Sequence, residues 1–276
     1  MRRSLSVISS LALLALAGCE TVEMLQNDKV LAGILLSTPE KTVGTTTVPP
    51  TVTAQVFFGE IPGGVGGAGD VVPITGASVQ VSWTGGGPVA LAPAADGYYQ
   101  ATAGLAYVEG ASYTFRVDHA GATYTGTVVA PPLVQMEDQG GTQLPDVITD
   151  VARDALASPF PVCRDGNQVA FVTVQEFTNA GASGSPCFEP AAPTDAGGII
   201  GLLFDQSAYT VACFQVPAGC FPNASAPATV GYLVGLTALN KATGTQGMSS
   251  NLFLASGVFV GTMDASALVF PPPAPL

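Results

Sequence analysis

Short runs in which apolar and polar residues alternate constrain the fold of this chain most strongly. In one such run, GASVQVSW, the apolar positions are Ala77, Val79, Val81 and Trp83, and Ser78, Gln80 and Ser82 lie between them. Successive side chains of a strand point to opposite faces, so this spacing places every apolar side chain on one face of a sheet. Similar runs recur between turns rich in Gly (33 residues) and Pro (22 residues). We therefore predict an all-β fold.

One β-hairpin can be read directly from the pattern. Tyr113, Phe115 and Val117 share a face, Ala120-Gly121 reverses the chain, and residues 124–129 form the returning strand. Further strand candidates are VTAQVFFG, QVAFVTVQEF, GGIIGLLF, AYTVACFQV, TVGYLVGLTAL and SSNLFLASGVFVGTMDASALVF. The apolar run KVLAGILL is either a buried strand or a membrane-proximal helix, because periodicity does not separate the two in so short a run.

Residues 51–132 contain, in this order, the segments TGASVQVSW, DGYYQA, EGASYTFRV and GATYTGTVVAPP. They resemble the immunoglobulin-like and carboxypeptidase-regulatory-like (prealbumin-like) modules of envelope proteins, which implies a β-sandwich but no particular activity. Residues 133–144 are interpreted as an acidic linker, and residues 145–276 as a second β-rich domain. The stretch SSNLFLASGVF resembles the end of uncharacterised two-domain envelope lipoproteins. We therefore expect two β-sandwich domains.

The amino terminus has the features of an export signal. Arg2 and Arg3 precede a mostly apolar segment, residues 5–17, which is shorter than the ~20 apolar residues that a membrane-spanning helix needs. The segment ends in Leu16-Ala17-Gly18-Cys19 and resembles a bacterial lipobox. The resemblance implies that residues 1–18 are removed, that Cys19 carries the acyl chains, and that residues 19–50 form a lipidated tether. Two or more acyl chains would hold the protein stably at a membrane.

Charge and the residue after the cysteine restrict the location and the partners. The chain has 20 acidic and eight basic residues, and two of the basic ones lie in the predicted signal segment. Such a chain offers no basic surface for nucleic acid. Glu20 stands where an aspartate would favour retention at the inner membrane, so we expect the cell envelope and, within it, the outer membrane. The acyl chains would contact the membrane, and an envelope protein is the expected partner.

Four cysteines remain after Cys19, namely Cys163, Cys187, Cys213 and Cys220. In an exported chain they most simply form two disulfides; free buried thiols and a metal site are the alternatives. No pair has the C-x2-C spacing of a zinc site, and the single histidine, His119, lies in the other half of the chain. A Pro-Ala-Gly turn lies between Cys213 and Cys220, and the strand QVAFVTVQEF with its following loop lies between Cys163 and Cys187. These nearby positions favour the pairs Cys163–Cys187 and Cys213–Cys220.

The remaining candidates for chemistry have structural interpretations. His119 directly precedes a turn, and no G-x-S-x-G elbow is present. Asp146, Asp150 and Asp154 would line one face of a helix, where Arg153 is available to pair with Asp150. The glycine-rich stretch 63–70 has a single aspartate and no following Lys-Ser/Thr, so neither a calcium nor a phosphate site is expected. We expect no catalytic centre, no metal and no cofactor.

An aromatic concentration in the first predicted domain is the best candidate for a binding surface. Its residues are Trp83, Tyr98, Tyr99 and Tyr107. Aromatic rings on a sandwich face can stack on sugars, although they more often fill a core. The sequence thus predicts a lipid-anchored, non-enzymatic envelope protein that presents β-sandwich modules for structural roles or protein interaction. The alternatives are a glycan- or peptide-binding surface lipoprotein and a hydrolase whose acidic residues meet only in the fold.

Overall fold

The computed structural model describes residues 27–43, 46–62, 71–166, 168–190, 209–254 and 256–271. The predicted signal segment, Cys19, the glycine-rich stretch 63–70 and the strand candidate GGIIGLLF lie outside the described residues. Within the described residues, regular structure consists of strands and short 3₁₀ helices, so the expected all-β class is confirmed.

The strands of the first half are short to medium in length. They are β1 (Lys29–Thr38), β2 (Lys41–Val43), β3 (Thr46–Val48), β4 (Thr51–Glu60), β5 (Val72–Pro73), β6 (Ser78–Trp83), β7 (Gly86–Pro93), β8 (Tyr98–Ala101), β9 (Ser112–His119) and β10 (Ala122–Val129). The second half contains β11 (Val147–Ile148), β12 (Phe160–Cys163), β13 (Val169–Thr178), β14 (Gly181–Glu189), β15 (Cys213–Val216), β16 (Thr229–Thr243) and β17 (Gly257–Val269). The 3₁₀ helices are Ala95–Gly97, Arg153–Ala157 and Ala218–Cys220.

One large mixed sheet runs through both predicted domains. Its order is β10-β9-β6-β7-β8-β4-β1-β17-β16-β13-β14, with β5 added to β4 and β11 added to β17. The pairs β12-β15 and β2-β3 form separate two-stranded sheets. The predicted hairpin is confirmed, since β9 and β10 pair in register on either side of Ala120-Gly121. Both turn residues have positive φ (50° and 81°), which the right-handed twist of a two-residue hairpin favours.

The run KVLAGILL is a strand, so of its two interpretations the strand is correct. As β1 it pairs antiparallel with β4 and parallel with β17, at the middle of the sheet. Leu31 and Leu35 on one face are fully buried. Residues 29–38 of the predicted tether are therefore a central strand of the fold. The tether expectation failed here because the partner strand β17 lies more than 200 residues away in the sequence.

The first hydrophobic core lies between two layers of this sheet. Side chains of β6, β9 and β10 pack over those of β1, β4 and β17, which gives the fold a sandwich-like arrangement. Gly33 allows the two layers to approach closely, because a Cβ atom there would lie 2.9 Å from Cδ1 of the buried Phe115. The carboxyl-terminal strand therefore contributes to the core of the amino-terminal half.

A second core lies farther along the same sheet. It is formed by β13, β16 and the end of β17, together with the separate pair β12-β15. Met136 is fully buried in this core, although the sequence places it in the predicted linker 133–144. That part of the linker is therefore packed against the sheet, and its charged neighbours conceal this in the sequence pattern.

The four cysteines form two disulfides, but the predicted pairing is wrong. Cys163 bonds to Cys213, and Cys187 bonds to Cys220. The reason is the pairing of β12 with β15, which places Cys163 directly opposite Cys213 across 50 residues of sequence. Cys187 on β14 reaches the 3₁₀ helix that ends at Cys220. Proximity in sequence is thus overruled by strand register.

Candidate binding cleft

Three aromatic rings stack at one end of the first core. The centroids of Trp83 and Tyr113 lie 5.9 Å apart with an interplanar angle of 22°, and those of Tyr113 and Tyr107 lie 6.4 Å apart at 25°. The indole lies directly over Gly86, where a Cβ atom would come within 2.4 Å of the ring. Stacking of this kind adds roughly 0.5–1.5 kcal/mol per pair beyond area burial. Trp83 and Tyr107 are half-buried, so their faces mainly contact protein.

The other two predicted surface aromatics lie elsewhere. Tyr99 is 1% exposed; its hydroxyl donates a hydrogen bond to the carbonyl of Ile74 and accepts one from the Ala77 amide, both at 3.0 Å. It is a core residue, and its surface assignment is wrong. Tyr98 is exposed and packs against Phe57 at 5.4 Å. Because Tyr98 and Tyr99 are successive strand residues, they point to opposite faces, and the four aromatics do not form one surface.

Tyr107 instead lines an open cleft beside the stacked rings. The cleft has a volume of about 660 Å³, within the usual range for ligand sites. The described residues that line it come from the end of β1, the start of β4 and the connection between them, from the β8–β9 connection, and from the start of the predicted linker: Ser37, Pro39, Glu40, Pro50, Thr51, Val52, Thr102, Ala103, Leu105, Tyr107, Glu109 and Leu133. Three distant chain segments thus meet to form one site.

Most of the cleft's surface is apolar, and two carboxylates also line it. Leu133 is 55% exposed, and Val108, next to two lining residues, is 43% exposed. Glu40 and Glu109 are both exposed. Burial raises the pKa of Tyr107, and Tyr113 and Glu109 raise it further. Its hydroxyl is therefore a neutral donor at physiological pH, and it donates a hydrogen bond to the carbonyl of Pro131.

An ion cluster fixes the backbone next to the cleft. The ammonium of Lys41, which follows the lining residue Glu40, pairs with Asp146 at 2.6 Å and also with Asp264. The side chain of Asp264 is only 6% exposed, and its carboxylate also accepts hydrogen bonds from the amides of Met136 (2.6 Å) and Ala265 (2.9 Å). The cluster therefore ties the β1–β4 connection to β17 and to residue 136.

The aspartates that the sequence placed on a helix do not share one. Residues 147–148 form β11, Asp150 has a positive φ of 57°, and only Arg153–Ala157 is a short 3₁₀ helix. The expected Arg153–Asp150 pair is also wrong. The Arg153 guanidinium donates hydrogen bonds to the carbonyls of Ala224, Ala226 and Thr229, and it lies 4.3 Å from the centroid of the Phe270 ring.

His119 ends β9 at the hairpin, as its position before the turn predicts. Its ring lies edge-on to Phe58 at 6.0 Å. Among the residues that the structure describes, no group of three or more His, Cys, Asp or Glu side chains is arranged to hold a metal ion. The described part of the chain also contains no helix with the length and apolar character needed to cross a membrane.

Sequence reasoning missed the cleft and the ion cluster. The residues of the cleft were visible individually, but they lie in three segments and share no motif. The only signals of this region in the sequence are the pairs of successive prolines near the cleft residues and the isolated Lys41, which stands out in a chain with few basic residues. The chain matches no known family model, and no match to a curated protein was found. The function of the chain is therefore inferred from the geometry of the cleft.

Proposed function

We propose that this chain is a lipid-anchored, non-enzymatic protein of the cell envelope that uses the cleft around Tyr107 to bind a protein partner. Acyl chains on Cys19 would hold it at the outer membrane. The chain would present its β-sandwich modules, residues 51–132 and 145–276, whose cores share the strand β17, away from the lipid surface. The mature chain's excess of acidic residues would limit direct attraction to anionic head groups.

The observation that carries this proposal is the exposed apolar surface at the cleft. Leu133 is 55% exposed, and it lines the cleft together with the half-buried apolar side chains of Leu105, Tyr107 and Val52. Isolated exposed apolar residues need no explanation, but a contiguous patch that borders a cleft is typical of an interaction site. Burying these side chains against a partner would contribute about 25 cal/mol per Å².

The charges at the cleft indicate the chemistry of the partner. Glu40 and Glu109 place negative charge beside the apolar walls, and neither carboxylate forms an ion pair with a residue that the structure describes. An extended segment with apolar side chains and a lysine or arginine would complement both features. Such a charge would mainly affect the association rate and the specificity.

Photo-crosslinking in the native envelope tests the proposal. We expect a photoreactive phenylalanine analogue at position 133 to give one dominant protein adduct, whose yield falls severalfold when Glu109→Lys reverses the charge at the cleft. Val72 is the matched control, because it is an equally apolar and exposed residue that does not line the cleft. Equal adduct patterns from positions 133 and 72, or no effect of Glu109→Lys, would contradict the proposal.

A hydrolase is the second candidate, because Glu40 and Glu109 line the same cleft. Most glycosidases use two carboxylic side chains at the active site. If the cleft only binds a partner, then the purified lipoprotein will hydrolyse glycan, ester or peptide substrates no faster than a Glu40→Gln/Glu109→Gln double variant does. Turnover that is reproducible and disappears in that double variant would replace the binding proposal with the enzymatic one.

A further inference from the structure

A second cavity lies at the point where the pairing of β13 with β16 stops. The last paired residues are Val169 and Leu239, and β16 continues beyond them to Thr243. The notch beside residues 240–243 of β16, which pair with β17 but not with β13, has a volume of about 510 Å³. Among the residues that the structure describes, none of those lining it is acidic: Thr127, Val128, Val129, Gln168, Val169, Thr210, Leu239, Asn240, Lys241, Ala242, Gln246 and Gly247. The cavity is separate from the cleft around Tyr107.

Lys241 is the unusual residue of this cavity. The other lysines of the described chain have carboxylate partners: Lys29 pairs with Asp28 and Glu60, and Lys41 pairs with Asp146 and Asp264. Lys241 makes no ion pair or hydrogen bond with any residue that the structure describes, although it is half-buried. Burial lowers its pKa, as expected for an ammonium that has lost water without gaining a counterion.

A buried arginine holds one of the residues that line this cavity, Gln168. Arg164 is 3% exposed, and its guanidinium donates hydrogen bonds to the side-chain oxygen of Gln168 (2.8 Å) and to the main-chain carbonyl of Gln168. Its Nε is buried and has no hydrogen-bond partner in the described structure. Since a guanidinium can only donate, the oxygen of the Gln168 amide must face it. The side-chain amide of Gln168 is thereby held between Arg164 and Gly166.

We propose that this cavity binds an organic carboxylate, with Lys241 as its ion-pair partner. A carboxylate would supply the counterion that Lys241 lacks, and its charge-assisted hydrogen bonds are stronger than neutral ones. The side chain of Val129, which lines the cavity and is 51% exposed, would contact the carbon atoms of the ligand. A cavity of this volume exceeds the needs of a simple inorganic anion and fits a sugar acid or the carboxyl end of a peptide.

Calorimetric titration of the full lipoprotein in detergent tests this proposal with two pairs of probes. One pair is digalacturonate and its neutral analogue digalactose, and the other is an acetylated tripeptide with a free carboxylate and the same peptide as its amide. We expect one carboxylate probe to bind and its neutral counterpart to bind at least about tenfold more weakly, as loss of a charge-assisted hydrogen bond implies. The pair that shows this difference identifies the source of the carboxylate.

Variants locate the binding to the cavity. Lys241→Met should weaken binding of the effective probe about tenfold or more, and Lys241→Arg should restore most of the affinity. Lys29→Met is the matched control, because it removes the same charge at a distant surface pair and should leave the affinity unchanged. Circular dichroism would establish that each variant is folded. Three results would overturn the proposal. They are equal binding of the charged and neutral probes, equal weakening by Lys29→Met and Lys241→Met, and no binding of either carboxylate probe at millimolar concentration and 10-fold molar excess over the protein.

Discussion

Lys41→Met is expected to lower the free energy of unfolding by about 3 kcal/mol, the typical cost of removing one partner from a buried ion pair. Asp264 is 6% exposed and would keep only its two amide hydrogen bonds, so its negative charge would stay buried without a cation. Urea denaturation followed by tryptophan fluorescence measures the effect, because Trp83 is the only tryptophan and is half-buried in the first core.

The control for this substitution is Lys29→Met. Lys29 pairs with Asp28 and Glu60, whose side chains are 48% and 43% exposed, so their charges stay hydrated when the lysine is lost. Exposed pairs of this kind contribute roughly 0–1 kcal/mol. A second variant, Lys41→Met with Asp264→Asn, should recover part of the lost stability. Equal destabilisation by Lys41→Met and Lys29→Met would refute the role assigned to the buried cluster.

The cluster also has a defined pH dependence. Burial lowers the pKa of Lys41, but the hydrogen bonds and charges of Asp146 and Asp264 outweigh this effect and leave the pKa above its ordinary value of 10.5. A raised pKa in the folded state means that the stabilisation is fully present below pH 10.5 and is lost as pH rises through the folded value. The stability difference between the wild type and Lys41→Met should therefore be constant at neutral pH and shrink only in strong alkali.

Cys19→Ser is expected to abolish lipid attachment and to release the protein from the membrane fraction. The apolar segment 5–17 is too short to span the hydrocarbon core, so in the proposed arrangement the acyl chains alone provide the anchor. Metabolic labelling with a clickable fatty acid, followed by fractionation, measures both effects. Replacement of a cysteine in the disulfide Cys187–Cys220 is the matched control, since it removes a cysteine without affecting a lipobox.

Two results would contradict the anchoring hypothesis. A Cys19→Ser protein that still incorporates the fatty acid would show that another residue is acylated. An unlabelled Cys19→Ser protein that still fractionates quantitatively with the membrane would show that a different part of the chain, or a bound partner, provides the anchor. Loss of label from the Cys187 variant would instead indicate that misfolded protein fails to mature.

The hairpin and the central strand show where local reasoning succeeds and where it is limited. The hairpin β9–β10 follows from residues that are neighbours in sequence, so its faces and its turn were predicted correctly. The strand β1 was recognised only as one of two alternatives, because its partners β4 and β17 decide its conformation. The second face of β1 is only half-buried, but it too carries apolar side chains (Ala32, Ile34 and Leu36), so the sequence lacks the alternation that would separate a strand from a buried helix.

The candidate sites show the same division. Tyr107 lines the candidate cleft, but Tyr99, which was predicted on the same surface, is buried. The aromatic content of a segment does not reveal which rings face inward when the strand lacks a clear alternation of polar residues. The sequence pattern does not single out Lys241, because its isolation from carboxylates is a property of the folded chain and not of its neighbours in sequence.

The sequence by itself determined the all-β class, the positions of most described strands and the participation of four cysteines in disulfides. These properties follow from side-chain alternation over a few residues and from the scarcity of other roles for cysteine in such a chain. Only the tertiary structure decided that Cys163 pairs with Cys213, that β1 lies beside β17, and that Lys41 joins Asp264. Each of these contacts joins residues at least 50 positions apart. Their formation depends on the register and order of strands in a sheet, which no local pattern specifies.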